Sequence, residues 1–331
     1  MTYEHVTPKD ALELYLQEKS QECTESTVRS HRSRLSHFIE WFESETDYTH
    51  VHELGGLDLR KYRLWRYDDD YSPDTIKTQQ DTLRVFLKFC RDIDSLPAEL
   101  PEKVKRPDRG GQRDNEIPYE RSREILEHLD QFEYATHQHV SLHLLWYSMM
   151  RVSSLRAIDV DDVDLDDGYI EIRHREKTRL KNAEKGERTI SIRPETVSLL
   201  RDYIEQHRHD VQDDYGRNPL ITTQHGRPHT TTLRNWCYAW TRPCVIGQDC
   251  PHDRDEKECE ATDGNNHSCK CPSSESTHAL RRGSISWHLR QETPASVVGD
   301  RADVSVSVLR EHYSTLTERE KADVRASKLP E

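Results

Sequence analysis

Apolar residues recur at three- and four-residue spacing over most of the chain, and strict alternation is confined to two short stretches. Thr7 to about Leu96 reads as four helices. The first has Pro8 in its opening turn, then Ala11, Leu12, Leu14, Tyr15 and Leu16. The second starts after Thr24 or Ser26 and lines up Val28, Leu35, Phe38, Ile39 and Phe42. The third is short, about Asp58 to Tyr67, and the fourth follows the cap Ser72-Pro73-Asp74-Thr75 with Ile76, Leu83, Phe86, Leu87 and Phe89. Between Pro97 and Pro118 the pattern breaks. Prolines and glycines alternate with Lys103, Lys105, Arg106, Arg109 and Arg113, which predicts an extended basic linker.

Beyond Pro118 a second domain is predicted. A helix to about Phe132 carries Ile125, Leu126 and Leu129. Tyr134 to Met150 is apolar enough to be a central buried helix, and Arg151 opens a short helix after it. Tyr169–Ile172 and Thr189–Ile192 alternate like two strands of a hairpin, joined by a turn bearing Lys177, Lys181 and Lys185. Pro194 starts an amphipathic helix, Leu220-Ile221-Thr222 reads as a short strand, and Thr230 to about Trp240 is helical again. Ser276 or Thr277 can cap a further helix, and Val306, Leu309 and His312 or Tyr313 fall on the stripe of a last one. The organisation expected is a helical domain over 1–96, a linker over 97–117 and a second domain over 118–331 with a Cys/His-rich insertion at 244–271. The fold class is mainly α with a small β-sheet (α+β).

At 331 residues the chain has room for two cores. No apolar run approaches a membrane span and no signal peptide precedes Pro8, so a soluble cytoplasmic protein without a membrane partner is expected. The net charge of −13 speaks mildly against nucleic acid, yet arginine far outnumbers lysine and the acids cluster in runs such as Asp68-Asp69-Asp70. Acidic outer surfaces with arginines on one face would suit a salty cytoplasm, where lost counterion release leaves more to specific contacts.

Basic residues on helices two to four, among them Arg29, Arg32, Arg34, Arg60, Lys61, Arg63 and Arg66, interleave with tyrosine and tryptophan. A solvated face and a face laid on DNA phosphates are both open readings. Arg32, Arg60, Lys61, Lys105 and Arg106 are the candidate phosphate contacts of this part. Arg151 follows a buried helix, where an arginine is costly unless paired. It could pair with a nearby aspartate or serve an anion. His278 and Arg281, three residues apart, would share one helix face in the first turn, where free N–H groups and the dipole also favour an anion. Tyr313 downstream adds a phenol, which suggests nucleophilic attack on a phosphodiester.

Together these residues resemble the tyrosine recombinases, the phage-integrase family. Met150-Arg151-Val152-Ser153-Ser154-Leu155 is similar to the first active-site box, and the hairpin lysine, His278-Ala279-Leu280-Arg281-Arg282 and Tyr313 follow in the family's order. The resemblance covers nearly the whole chain. It implies a helical SAM-like core-binding domain, a catalytic domain from Pro118, and double-stranded DNA as partner. Tyr313 would attack the scissile phosphate to leave a 3′-phosphotyrosine, with Arg151 and Arg281 on nonbridging oxygens and His278 assisting proton movement. A hairpin lysine, Lys181 ahead of Lys177, would protonate the leaving 5′-oxygen. No metal or other cofactor is needed for catalysis. The implied assembly is a tetramer on DNA, with DNA-bending accessory proteins as further candidate partners.

Two departures stand out. Gly299 is followed by Asp300, where the family has histidine or tryptophan, and an ionised carboxylate cannot donate to a phosphate. Arg282 stands where the family often has histidine, and is compatible with backbone contact. Asp300 keeps an alternative open, a recombinase-like DNA-binding protein that is weakened or inactive in cutting. The insertion is the second departure. Of eight cysteines, Cys244, Cys250, Cys259, Cys269 and Cys271 crowd this segment with His252 and His267. A structural zinc held by Cys244, Cys250, Cys259 and Cys271, with Cys269 or His252 as substitutes, would replace the missing core of such a loop; free thiols on a mobile loop are the alternative. A catalytic zinc is disfavoured by the thiol-rich ligand set and the lack of a general base nearby.

Overall fold

The computed structural model describes residues 3–68, 71–107, 115–264, 266–309, 319 and 326. The chain divides into two compact units, Met1–Arg113 and Asp114–Glu331.

The first unit is built from α1 (Pro8–Glu22), α2 (Glu25–Glu45), α3 (Gly56–Tyr67) and α4 (Pro73–Asp92). Three of these helices start on the hydroxyl caps that the sequence offers. Thr7, Thr24 and Ser72 accept from the N–H three residues on, and proline occupies the first turn of α1 and α4. The core joins Tyr15, Phe38, Trp41, Phe42, Tyr62 and Phe86 with Leu96, Leu100 and Val104. Leu100 and Val104 fall where an extended linker was expected. They are packed instead, because a short 3₁₀ turn at Leu100–Lys103 aims them inward. Arg66, expected on the basic face, is also buried: it donates to Gln79 Oε1 at 3.0 Å and lies over the Trp65 and Tyr71 rings.

The second unit centres on α6 (His137–Ser148), which buries Val140, Leu142, Leu144, Leu145 and Trp146 as its apolar composition predicts. Around it stand α5 (Tyr119–Phe132), α7 (Val152–Ala157), α8 (Pro194–Asp202), α9 (Thr230–Trp240), α10 (Thr277–Arg290) and α11 (Ala295–Ala302). The sheet is antiparallel in the order β1 (Val163–Asp164), β2 (Tyr169–Ile172), β3 (Arg188–Ser191), with Ile170 opposite Ile190. The expected strand at Leu220–Thr222 does not form. Its backbone bonds go elsewhere, Leu220 N–H to Ile158 O and Thr222 N–H to the Tyr203 hydroxyl. No helix among the described residues is long and apolar enough to cross a membrane.

Two local devices set up the site. α6 ends at Met149 in the left-handed region (φ 55°), which turns the chain sharply into Arg151, the N-cap of α7. Gly283 on α10 lets segment 115–118 cross the helix, since a Cβ there would lie 2.1 Å from Ile117 O. Met149, Ile285, Leu289, Val298, Ala302 and Leu309 then pack together and lock α10, α11 and the helical residues 306–309.

Candidate active site

α10 opens as its sequence predicts, with Ser276 Oγ accepting from Ala279 N–H. Arg281, in its second turn, is only 4% exposed. It donates to the carbonyl at the end of α6, Met149 O, and to Ala302 O at 2.7 Å. Both acceptors are helix-end carbonyls without intrahelical partners, so Arg281 ties three helices to one point.

Arg151 meets that point from α7. It does not pair with the aspartates that follow it in sequence; it binds Asp303, with Nη1 2.5 Å from Oδ2 and Nη2 2.8 Å from the backbone oxygen. Asn182 donates to the other oxygen of the same carboxylate at 2.8 Å. A third guanidinium, Arg188 at the start of β3, donates to Arg301 O at 2.8 Å and Gly186 O at 2.9 Å. Its second terminal nitrogen is buried without a hydrogen-bond partner among the described residues.

The electrostatics follow from this crowding. Burial and the charges of Arg151 and Arg188 push the Arg281 guanidinium down to about 9; Asp303 offsets only part. Burial lowers Arg188 to about 10, with Arg151 and Arg301 adding to the effect against Asp303. His278, in the first turn of α10, is held below its ordinary value by partial burial and then by Arg282, Arg281, Lys181 and Arg151. The cations predicted from separate stretches of sequence therefore act on one imidazole. Among the described residues, Asp303 is the one carboxylate that contacts Arg151, Arg188 or Arg281. Such a pocket is short of negative charge.

The remaining candidates distribute as follows. Lys181 lies within electrostatic reach of His278, whereas Lys177 pairs with Glu176 at 3.2 Å. Asp300 is exposed and lines an open groove of about 690 Å³ with Asn182, Lys185, Arg188 and Asp303. Tyr313 lies outside the described residues. Arg282 is half-buried. In the first unit Arg60 and Lys105 are exposed, while Arg32 pairs with Glu13, Lys61 stands 3.9 Å from Asp58, and Arg106 is 3.1 Å from Asp81. Cys244, Cys250, Cys259 and Cys271 line one small cavity of about 20 Å³ together with His252, and Cys269 is exposed outside it. Among the described residues, no three of these thiol and imidazole groups lie within 4.8 Å of one another.

Asp303, Asn182 and Arg188 were not anticipated. Arg188 had a signal: by strand alternation it shares the inward face of Ile190. Asp303 had none, since its place depends on a left-handed turn (φ 53°) after α11.

The family model of the phage integrase family matches residues 117–236, a span that holds Arg151, Lys177 and Lys181 and stops before His278. No curated protein matches the chain. Among solved structures, the Tn1549 transposon integrase in complex with circular intermediate DNA is similar at 13% identity and a TM-score of 0.68, over 98% of this chain and 100% of that one. A lambda integrase dimer bound to a COC′ core site is similar at 10% identity and a TM-score of 0.63, over 93% of this chain and 95% of that one. The N-terminal domain of a phage integrase/site-specific recombinase from Haloarcula marismortui is 35% identical over 31% of this chain and 99% of its own, with a TM-score of 0.31. Residues 117–236 of the second unit thus match the phage integrase family, and the chain shares the fold of these integrases.

Proposed function

We propose that this protein is a site-specific DNA recombinase that cuts and rejoins strands through a 3′-phosphotyrosine on Tyr313. The observation that carries the reading is the cation-rich pocket, in which Arg151, Arg188 and Arg281 act on one another and, among the described residues, Asp303 is the one carboxylate in contact, through Arg151. A scissile phosphate supplies the missing charge. Planar guanidiniums match its nonbridging oxygens, and their grip tightens as charge grows in the transition state.

In the proposed reaction the Tyr313 oxygen forms a bond to phosphorus as the bond to the 5′-oxygen breaks. The phenolic proton leaves by way of His278, and the Lys181 ammonium gives a proton to the departing 5′-oxygen. Attack by the free 5′-hydroxyl of another strand reverses the step and releases the tyrosine. Arg281 is fixed before DNA arrives by two backbone carbonyls, so little reorganisation accompanies binding. Asp303 stands on Arg151 where a phosphate oxygen would, and has to yield. Exposed Arg60 and Lys105 of the first unit are proposed to grip the backbone of the duplex, with four protomers assembling on two duplexes and DNA-bending proteins assisting.

A non-cutting DNA-binding protein is the second reading, favoured by one feature. Asp300 supplies a carboxylate on the groove where the resemblance calls for a donor. Covalent trapping separates the two. The full chain is incubated with nicked duplexes from the flanks of its own gene. A detergent-resistant protein–DNA band that vanishes in Tyr313→Phe supports cutting; binding without any band across several sites supports the second reading.

A structural zinc in the insertion is also proposed. Its support is the shared cavity of four cysteines and His252, with room for about one water-sized sphere. The ion would order the segment that leads into α10. Chelation is expected to lower the melting temperature while leaving phosphotyrosine formation intact wherever folding survives; loss of bond formation by fully folded, metal-free protein would contradict that structural role.

A further inference from the structure

The first unit carries a histidine cluster that the recombinase reading does not use. His5 precedes α1, and His50 and His52 lie in the turn between α2 and α3. The two segments are joined by a backbone bond from Val51 N–H to Val6 O at 3.0 Å. That bond brings the three rings together. Their centroids are 5.2 Å apart for His5 and His50, 4.5 Å for His5 and His52, and 5.5 Å for His50 and His52. One ring nitrogen from each lies within 4.8 Å of the other two.

Several details fit a ligand set better than simple packing. Protonated, three imidazoles this close would repel. Neutral, each can offer one ring nitrogen within 4.8 Å of the other two, with the Tyr3 ring stacked on His52 at 6.4 Å between centroids. His50 Nδ1 is 2.8 Å from the Thr49 hydroxyl; in the tautomer that donates there, Nε2 is left with its lone pair, the arrangement that orients metal-bound histidines. Glu53 stands behind the same ring, its Oε2 3.8 Å from His50 Nδ1. His52 Nδ1 is buried and has no hydrogen-bond partner among the described residues. Three nitrogens on one tetrahedral ion at 2.0–2.1 Å lie about 3.3 Å apart, so closing the cluster takes side-chain shifts on the order of 1 Å.

We propose that His5, His50 and His52 bind one divalent transition-metal ion of the zinc class, with water completing the tetrahedron. Imidazole ligands select zinc, copper, nickel or cobalt over magnesium and calcium. The site is distinct from the cysteine-rich insertion by residue and by ligand type. The ion would clamp the start of the chain to the turn after α2, and so stabilise the helical unit rather than take part in strand cutting.

The test uses the full chain, stripped with chelator, kept reduced, and titrated with Co²⁺ and then Zn²⁺. Cobalt held by thiolates shows sulfur-to-metal charge transfer, whereas cobalt in the histidine cluster shows ligand-field bands without it. The expected result is one equivalent of the second kind, lost separately in His5→Gln, His50→Gln and His52→Gln. Saturating Zn²⁺ should raise the melting temperature of the wild type by more than that of each variant. His5 is exposed and outside the helices, so His5→Gln leaves the core intact, and circular dichroism of the metal-free variants confirms folding. Equal metal stoichiometry in the wild type and the folded His5→Gln variant would overturn the proposal, as would charge transfer from every bound cobalt.

Discussion

Two clusters of arginine and aspartate sit in the second unit, and they differ in charge count. In the first, Arg173, Arg175, Arg217 and Arg227 interlock with Asp159, Asp162, Asp213 and Glu171, four cations against four carboxylates. Arg227 contacts Asp159 and lies 2.6 Å from Asp213, at 2% side-chain exposure. In the second, among the described residues, Arg151 pairs with Asp303, and Arg188 and Arg281 feel the same carboxylate only at electrostatic range. The titration shifts separate the two. Burial lowers Arg175, but its hydrogen bond and charge pairing with Asp162 outweigh that and raise it, whereas Arg281 falls to about 9. Burial raises Asp213, and the Arg217 backbone N–H and the Arg227 side chain more than reverse it. A balanced buried cluster is scaffold. An unbalanced one holds its charges at a standing electrostatic cost that an incoming anion relieves.

That contrast orders the expected effects of mutation. Arg281→Ala should lower the rate of covalent trapping by about 10²–10³-fold, as for loss of one donor to a developing anion, with a smaller change in melting temperature than the scaffold shows. Arg227→Met should do the reverse. It removes the closest cation from Asp159 and Asp213, which Arg175 and Arg217 still reach, and should lower the melting temperature by several degrees while the trapping rate per folded molecule stays within severalfold. If Arg227→Met instead abolished trapping in fully folded protein, the division into scaffold and site would fail. Asp303→Asn should act in the opposite direction from Arg281→Ala. Asparagine tolerates the left-handed backbone at this position and removes the internal anion, so inorganic phosphate should bind about three- to tenfold more tightly. Weaker phosphate binding by folded Asp303→Asn would show that Asp303 orders the pocket rather than competes for it.

The smallest effect is on His278. Burial and the surrounding cations hold its folded value below the ordinary 6.5. On acidification the unfolded chain therefore takes up the proton first, and His278 subtracts stability as the pH falls below about 6.5. Phosphate in the pocket should move the imidazole midpoint upward in a nuclear magnetic resonance titration. An unmoved midpoint would place the anion elsewhere.

Much of this architecture was legible in sequence because its causes are local. Hydroxyl caps and first-turn prolines announced α1, α2, α4 and α10, and apolar composition picked out α6. Arg151, His278 and Arg281 could be named from spacing and family order. What failed depended on long-range partners. Leu220–Thr222 has strand composition but bonds to Ile158 and Tyr203 instead of a strand. Arg66 has the spacing of an exposed base, yet Gln79, Trp65 and Tyr71 take it into the interior. Asp303 reaches Arg151 across 152 positions, a distance no local pattern spans.

The most direct test of the central claim pairs Arg281 with the charge it is meant to meet. Trapping rates are measured for wild type and Arg281→Ala on nicked duplexes carrying either the natural scissile phosphate or an uncharged methylphosphonate. The account predicts a loss of about 10²-fold or more on the phosphate and a loss smaller by at least tenfold on the methylphosphonate. Equal losses on both would mean that Arg281 supports the fold without touching the reacting phosphate.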